Sequence, residues 1–269
     1  MALRRVLWML ALLAAIAALA VSCGDDDDDN GDSGSTAEFT TISDGDLTVC
    51  TDAPYEPFEF EGADGEFTGF DMELMRAIAT NLNLDLAVTV QPFDGIWLAP
   101  EAGTCDLVAS AMTITDERSD AALFSDPYFD ANQSLLVKAE DAEELSSLGA
   151  LDGKTIGVQS GTTGESYANE NKPDGAQVKS FDGGDALFPA LVSGSVDAVL
   201  QDFPVNRERA SQDDQFVVTA EFETGEQYGV ATKKDNTALM DAINSQLAAL
   251  RDDGTYDTIF DEFFPSENS

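Results

Sequence analysis

The feature that most limits what this chain can fold into is an alternation of strand and helix signals that it runs through twice. Residues 47–50 are a short apolar run of strand type. A helical stripe follows over 71–83, where Met72, Leu74, Met75, Ile78, Ala79 and Leu82 recur at helical spacing. Residues 84–90 read as a second strand, 94–102 as a helix with Pro100 near its end, and 106–110 as a third strand. This βαβαβ order predicts a parallel sheet covered by helices on both faces. The scheme then recurs, with strands at 154–158 and 196–200 and helices at 164–171 and, despite Pro189, at 185–193. Gly103-Thr104-Cys105-Asp106-Leu107-Val108 is echoed by Gly194-Ser195-Val196-Asp197-Ala198-Val199, each a helix that ends at Gly and turns into a strand. Echo and order together predict two similar α/β lobes. Open α/β sheets bind ligands at the carboxyl ends of their strands, so the expected site is the cleft where such lobes face each other. Leu239, Ile243, Leu247 and Leu250 place an amphipathic helix over 237–253, ended by Gly254, and a last helix spans 256–264.

The N-terminus reads as an address. Arg4 and Arg5 precede an unbroken apolar run over 6–21, too short for a comfortable membrane span and right for a signal peptide. Ala20-Val21-Ser22-Cys23 resembles a lipobox, which implies a signal peptide over 1–22, cleavage before Cys23 and a diacylglyceryl thioether on the Cys23 sulfur. The mature protein is then expected outside the cytoplasm, on the outer face of the cytoplasmic membrane or in the periplasm, held by its lipid alone. Residues 23–44, with Asp25 to Asp29 in a row, bury too little to fold and read as an acidic tether. Asp26, Asp28, Asn30 and Gly31 fall on calcium-loop positions, but Ala37 stands where the closing carboxylate belongs, so no metal site is predicted.

Composition narrows the chemistry. With 52 Asp and Glu against 13 Lys and Arg, a net charge of −39 and no His, nucleic acid is excluded as a partner. His-led catalysis and His-ligated metals are excluded too, leaving carboxylates, hydroxyls and thiols. Such acidity also fits a salty habitat.

Arg118 is the one basic residue between Ala77 and Val137, and Thr115 can cap the helix whose first turn holds it. It reads either as a carboxylate-binding fork or as a surface Arg paired with Asp116, Glu117 or Asp120. Asp202 follows the strand at 196–200 and reads either as an ammonium ligand or as the start of a turn before Phe203-Pro204. Gly161-Thr162-Thr163-Gly164 can direct N–H groups at an anion, but it lacks the Lys of a phosphate loop, and no cofactor is predicted. Tyr55 and Phe93 could flank an organic side chain or simply pack in the core. Asp52 and Asp202 could pair as acid and base across the cleft, with no further signature behind that reading. If Asp52 and Ser110 are level at the cleft edge, Cys50 and Cys105 are offset by about three residues, or ~10 Å at strand rise. That exceeds disulfide reach and predicts two buried free thiols.

Six motifs in order resemble the extracellular solute-binding proteins of polar amino-acid ABC transporters, family 3. They are Thr51-Asp52-Ala53-Pro54-Tyr55-Glu56-Pro57-Phe58, Gly69-Phe70-Asp71, Met112-Thr113-Ile114-Thr115-Asp116-Glu117-Arg118, Phe124-Ser125-Asp126-Pro127-Tyr128, Gly157-Val158-Gln159-Ser160-Gly161-Thr162 and Leu250-Arg251-Asp252-Asp253-Gly254-Thr255-Tyr256. The resemblance implies an α/β, two-lobed periplasmic-binding-protein type II clamp with two crossovers. One lobe would comprise 45–131 and 229–269, the other 132–228, with hinges at 131–133 and 226–229. It implies that Arg118 binds the ligand α-carboxylate, helped by Thr113 and the Thr163 amide, and that Asp202 binds the α-ammonium. Tyr55 and Phe93 would sandwich the side chain, and Asp52, Ser110, Gln159 and Gln201 would meet its polar end. No catalytic residue is implied. The expected ligand is a basic or amide L-amino acid, delivered by a monomer to ABC permease subunits. Alternatives are an enzyme of the cyclohexadienyl dehydratase type on the same fold, or a ligand-sensing surface lipoprotein.

Overall fold

The computed structural model describes residues 39–265. The expected signal peptide, the expected lipidation at Cys23 and the expected tether up to residue 38 lie outside the described residues. Among the described residues no helix is long and apolar enough to cross a membrane.

The chain first lays down β1 (Asp46–Thr51), the hairpin β2 (Phe60–Glu61) and β3 (Phe67–Thr68), α1 (Phe70–Asn81), β4 (Asp85–Val90), β5 (Leu107–Val108), the short α2 (Asp116–Ala121) and β6 (Ala122–Phe124). It continues through β7 (Phe129–Lys138), β8 (Thr155–Gln159), α3 (Thr163–Asn171), β9 (Gln177–Phe181), α4 (Leu187–Val192), β10 (Ala198–Asp202), α5 (Phe203–Gln212) and β11 (Phe216–Tyr228). It returns as β12 (Ala231–Lys233), α6 (Thr237–Asp252) and α7 (Thr255–Phe263). Two five-stranded sheets result, ordered β4-β1-β5-β12-β6 and β11-β7-β10-β8-β9.

In each sheet three neighbouring strands pair in parallel, as the βαβαβ order predicts, and one strand runs against all the others: β12 between β5 and β6, and β7 between β11 and β10. The antiparallel strands are where the chain passes between sheets. Long β7 and β11 run side by side, pairing Ala131 with Glu226 and Gln133 with Phe222, and the pairing shifts register between Phe222 and Glu226. Their pattern is not a clean alternation, which is why periodicity alone does not place them. The expected helix over 94–102 is only a 3-10 turn at Ile96–Leu98. Gly95 enters it with φ 78°, and Pro100, which lacks an N–H, stops it from extending.

Local rules explain the helices that position the site. α1 starts at Gly69, whose φ is 114° and where a Cβ would stand 2.3 Å from the Phe58 carbonyl oxygen. Glycine is required there on both counts. α6 buries Leu239, Met240, Ile243, Leu247 and Leu250 against the first sheet, so the C-terminal segment completes that sheet's core. Phe58, Phe70, Phe129, Tyr228 and Phe264 join the same core, with Phe129 and Tyr228 stacked at 5.5 Å. These two rings sit on β7 and β11, so the passages between sheets are anchored in apolar contact.

Cys50 and Cys105 form a disulfide with Cα atoms 5.8 Å apart, which corrects the expectation of free thiols. The inferred register is right, because Cys50 lies opposite Val108. The error lies in extending β5 back to Cys105 at strand rise. β5 is only two residues long, and the chain before it is turned, with Thr104 N–H on the Ala99 carbonyl. The bond closes a separation of 55 residues, and its loss is expected to cost about 2–4 kcal/mol. Urea unfolding of Cys105→Ser, and of the parent with and without reductant, measures this; coincident transitions would show that the bond carries no stability.

Candidate functional site

The carboxyl ends of the parallel strands converge, as open α/β sheets require. Asp52 follows β1, Ser110 follows β5, Gln159 ends β8 and Asp202 ends β10. These four side chains line one cavity between the two sheets, together with Tyr55 and Phe93. Thr113, Arg118 and Thr163 complete the set of expected residues found there. Side chains fill most of the space: about 20 Å³ is free, room for a single water, so a ligand has to replace hydrogen bonds that now cross the cavity.

Arg118 is held from several sides. Thr115 caps α2 by accepting the Arg118 backbone N–H at 3.2 Å, which sets the guanidinium in the first turn. Nη1 donates to the Thr113 carbonyl at 2.7 Å and Nη2 to the Gly161 carbonyl at 2.9 Å. The fork therefore touches both halves of the chain. The rings of Phe93 and Trp97 flank it at 5.2 and 5.1 Å, a cation–π arrangement that screens it from water. Arg118 is buried, and desolvation lowers its pKa, while Asp202 and Glu226 pull it back up.

Asp202 sits opposite in role. Its Oδ2 accepts from the Tyr55 and Tyr228 hydroxyls at 2.9 and 2.5 Å, and its Oδ1 from Gln133 Nε2 at 2.5 Å. Burial raises its pKa to about 6, Glu226 adds to that, and the three hydrogen bonds oppose it. Asp52 accepts from Gln159 Nε2 across the cavity. Burial raises its pKa to about 6 as well, against the pull of that hydrogen bond, with Asp185 pushing it further up.

Three expectations change in this setting. Gln201 is not in this cavity: successive residues of β10 face opposite sides, so its side chain leaves the side of Asp202 and donates to Asn206 Oδ1 at 2.9 Å. Phe93 is covered by the Arg118 guanidinium, so its ring is a platform for that cation. The Thr113 and Thr163 hydroxyls both donate to Glu226 Oε2, at 2.7 and 2.6 Å. A hydroxyl has one proton, so in this arrangement Thr113 has none left for a carboxylate in the cavity.

Sequence reading missed Glu59, Gln133, Trp97, Glu226 and Tyr228. Gln133, Glu226 and Tyr228 fall inside the two short stretches expected to be hinges, and Glu59 directly follows the Tyr55-to-Phe58 motif, so proximity to those motifs was the available signal. Glu59 also lines the cavity, fully buried, and accepts from Ser110 Oγ at 2.8 Å.

This geometry meets its relatives in the known proteins. The profile of the bacterial extracellular solute-binding proteins, family 3, matches residues 47–266. The chain belongs to that family. Among family 3 relatives, the ABC transporter arginine-binding protein 1 of Escherichia coli (strain K12) is 34% identical over 218 residues, 79% of this chain and 88% of that protein. An ancestral arginine-binding protein solved with arginine is 39% identical, with a TM-score of 0.78 over 82% of this chain and 98% of that one. The ancestral amino acid-binding protein AncCDT-1, described as a precursor of cyclohexadienyl dehydratase, is 38% identical, with a TM-score of 0.77 over 82% and 96%. Family 3 structures like these have two lobes, as this chain does.

Proposed function

We propose that this protein is the substrate-binding component of an amino-acid ABC importer and that its ligand is an L-amino acid with a cationic side chain. The α-carboxylate goes to Arg118 and the α-ammonium to Asp202, which together neutralise a zwitterion. The observation that carries the choice of side chain is Asp52. It is a half-buried carboxylate in the cavity whose partner is the neutral amide of Gln159, so a cation is the group it lacks. The lobes, 45–131 with 229–269 and 132–228, close on the ligand by bending where β7 and β11 run together, at 131–133 and 226–229. The closed clamp then docks on permease subunits, with the lipid on Cys23 keeping it at the membrane.

The test is a thermal-shift panel of the twenty L-amino acids. A ligand at 100 times its Kd adds ~2.7 kcal/mol, and arginine or lysine is expected to give the shift. In Asp52→Asn, affinity for the cationic ligand is expected to fall at least tenfold, roughly 1.4 kcal/mol, while an amide ligand such as glutamine gains relative to it. Equal losses for both ligands would remove Asp52 from selectivity. Affinity is also expected to fall below about pH 6, where the free Asp52 and Asp202 take up protons that binding must expel. No shift from any amino acid, with turnover of prephenate or arogenate instead, would replace this reading with the dehydratase one.

A further inference from the structure

Beside the amino-acid cavity lies a roomier one, about 390 Å³, which nothing above uses. One wall is the segment Pro54, Tyr55 and Glu56 that follows β1; the other is α4, α5 and the turn before them. Tyr55 is common to both cavities. It fits there because residue 184 is glycine: a Cβ at Gly184 would stand 3.2 Å from the Tyr55 ring. The floor is apolar, built by Phe188, Pro189, Val192 and Val205, and Val192 is half exposed at the mouth.

Polar groups in the lining are mostly acceptors. Gln201 is 5% exposed, and with its Nε2 given to Asn206, its Oε1 has no partner. Glu56 and Glu208 share the side-chain amide of Gln212, at 3.1 and 2.9 Å. Neither they nor Asp185 is ion-paired among the described residues. The one cation among the described lining residues, Arg209, lies between the rings of Phe188 and Phe216; its Nη2 pairs with Asp213 at 3.0 Å, while its buried Nε has no partner. Size and an apolar floor suit a small molecule, and three carboxylates without an ion pair, beside an orphaned amide oxygen, suit a donor-bearing cation.

We propose that this cavity is a second ligand site, for a small organic cation that carries an ammonium on an apolar body. The ammonium meets the acceptors around Gln201, and the body lies on Phe188, Pro189 and Val192. Walls come from both halves of the chain, so an occupant favours the arrangement in which they are together. By linkage, amine and amino acid then tighten each other's binding by the same factor. The site stands apart from the amino-acid reading and survives if that reading fails.

The test is calorimetric titration of the full chain with phenethylamine, and with 3-phenylpropionate, which has a similar body and the opposite charge. Both are run with and without the amino acid that scores in the thermal-shift panel. One phenethylamine is expected per chain, with the amino-acid affinity rising about fivefold or more in its presence, and no heat from phenylpropionate. Val192→Lys, which sets a cation at the mouth, and Gln201→Leu, which removes the orphaned acceptor, are each expected to weaken the amine at least tenfold. Neither residue lines the amino-acid cavity, so amino-acid affinity without amine stays as it was. The proposal is overturned if phenethylamine fails to bind, competes with the amino acid, or binds both variants as it binds the parent. Amine binding that responds to Val192→Lys in a protein that takes no amino acid would sink the importer reading and leave this one standing.

Discussion

Arg118→Ala is expected to weaken amino-acid binding by about 10²- to 10⁴-fold, because removing one side of a buried, hydrogen-bonded charge pair costs about 3–5 kcal/mol. Among the described residues Arg118 is the only Lys or Arg lining the cavity, and 4% of it is exposed. Its loss would leave the ligand carboxylate of the proposed complex facing Asp52 and Asp202 with nothing to offset them. The same substitution removes the bond to the Gly161 carbonyl, so the two halves of the chain are also less firmly joined. Arg118→Lys is expected to recover little, because an ammonium cannot reach the Thr113 and Gly161 carbonyls and still present a flat fork to a carboxylate. Isothermal titration decides it, with circular dichroism to show that the short α2 has not unfolded the rest. Binding within threefold of the parent would mean that the carboxylate is held elsewhere.

The second large effect is on stability and comes from beneath the cavity. Asp71 and Glu59 are both fully buried carboxyls in the core of the first sheet, and each has one oxygen without a partner. The other oxygen of Asp71 accepts from Ala111 N–H at 2.8 Å and the Tyr128 hydroxyl at 2.7 Å. Burial raises the pKa of Asp71 from 3.8 to about 7, and burial together with the nearby Asp71 raises that of Glu59 well above its usual value. Between those limits the folded chain keeps a proton that the unfolded chain has released, so this contribution to stability is whole below about pH 4 and is lost as pH rises toward 7. For Asp71 alone the loss is on the order of 4 kcal/mol. Asp71→Asn keeps an acceptor for Ala111 and Tyr128 and never ionises. Urea unfolding at several pH values is expected to find the two proteins nearly equal at pH 4 and the variant more stable by about that amount at pH 8. A difference that does not change with pH would mean that Asp71 is already neutral, or already charged, throughout the range.

How much of the site was legible can be judged from single residues. Arg118 and Asp202 had even alternatives on spacing alone, and only the family resemblance made them the expected binding pair. Nine of the ten expected residues line the cavity: Asp52, Tyr55, Thr113, Arg118 and Gln159 lie within the ordered motifs, and Ser110 and Asp202 at the carboxyl ends of strands. Gln201 went astray through a single step along β10, enough to move a side chain to the other side of a strand. Thr113 and Phe93 line the cavity as expected, but the hydroxyl proton of one goes to Glu226 and the ring face of the other to Arg118, neighbours supplied by distant or separate segments.

By itself, the sequence determined what depends on residues a few positions apart: the stripe of α1, the buried face of α6, the cap of Thr115 over Arg118, the glycine at 69, and the order of strands whose ends meet in the cleft. Those features follow from helical and strand periods and from backbone sterics, which act within a turn or two. Only the tertiary structure decided which strands run antiparallel between the sheets, that Cys105 turns back to meet Cys50, and that Glu226 joins Thr113 to Thr163. These depend on where segments some 50 to 110 residues apart come to rest, and a shift of one residue in register or one turn in the chain's path changes the partner without changing the local pattern.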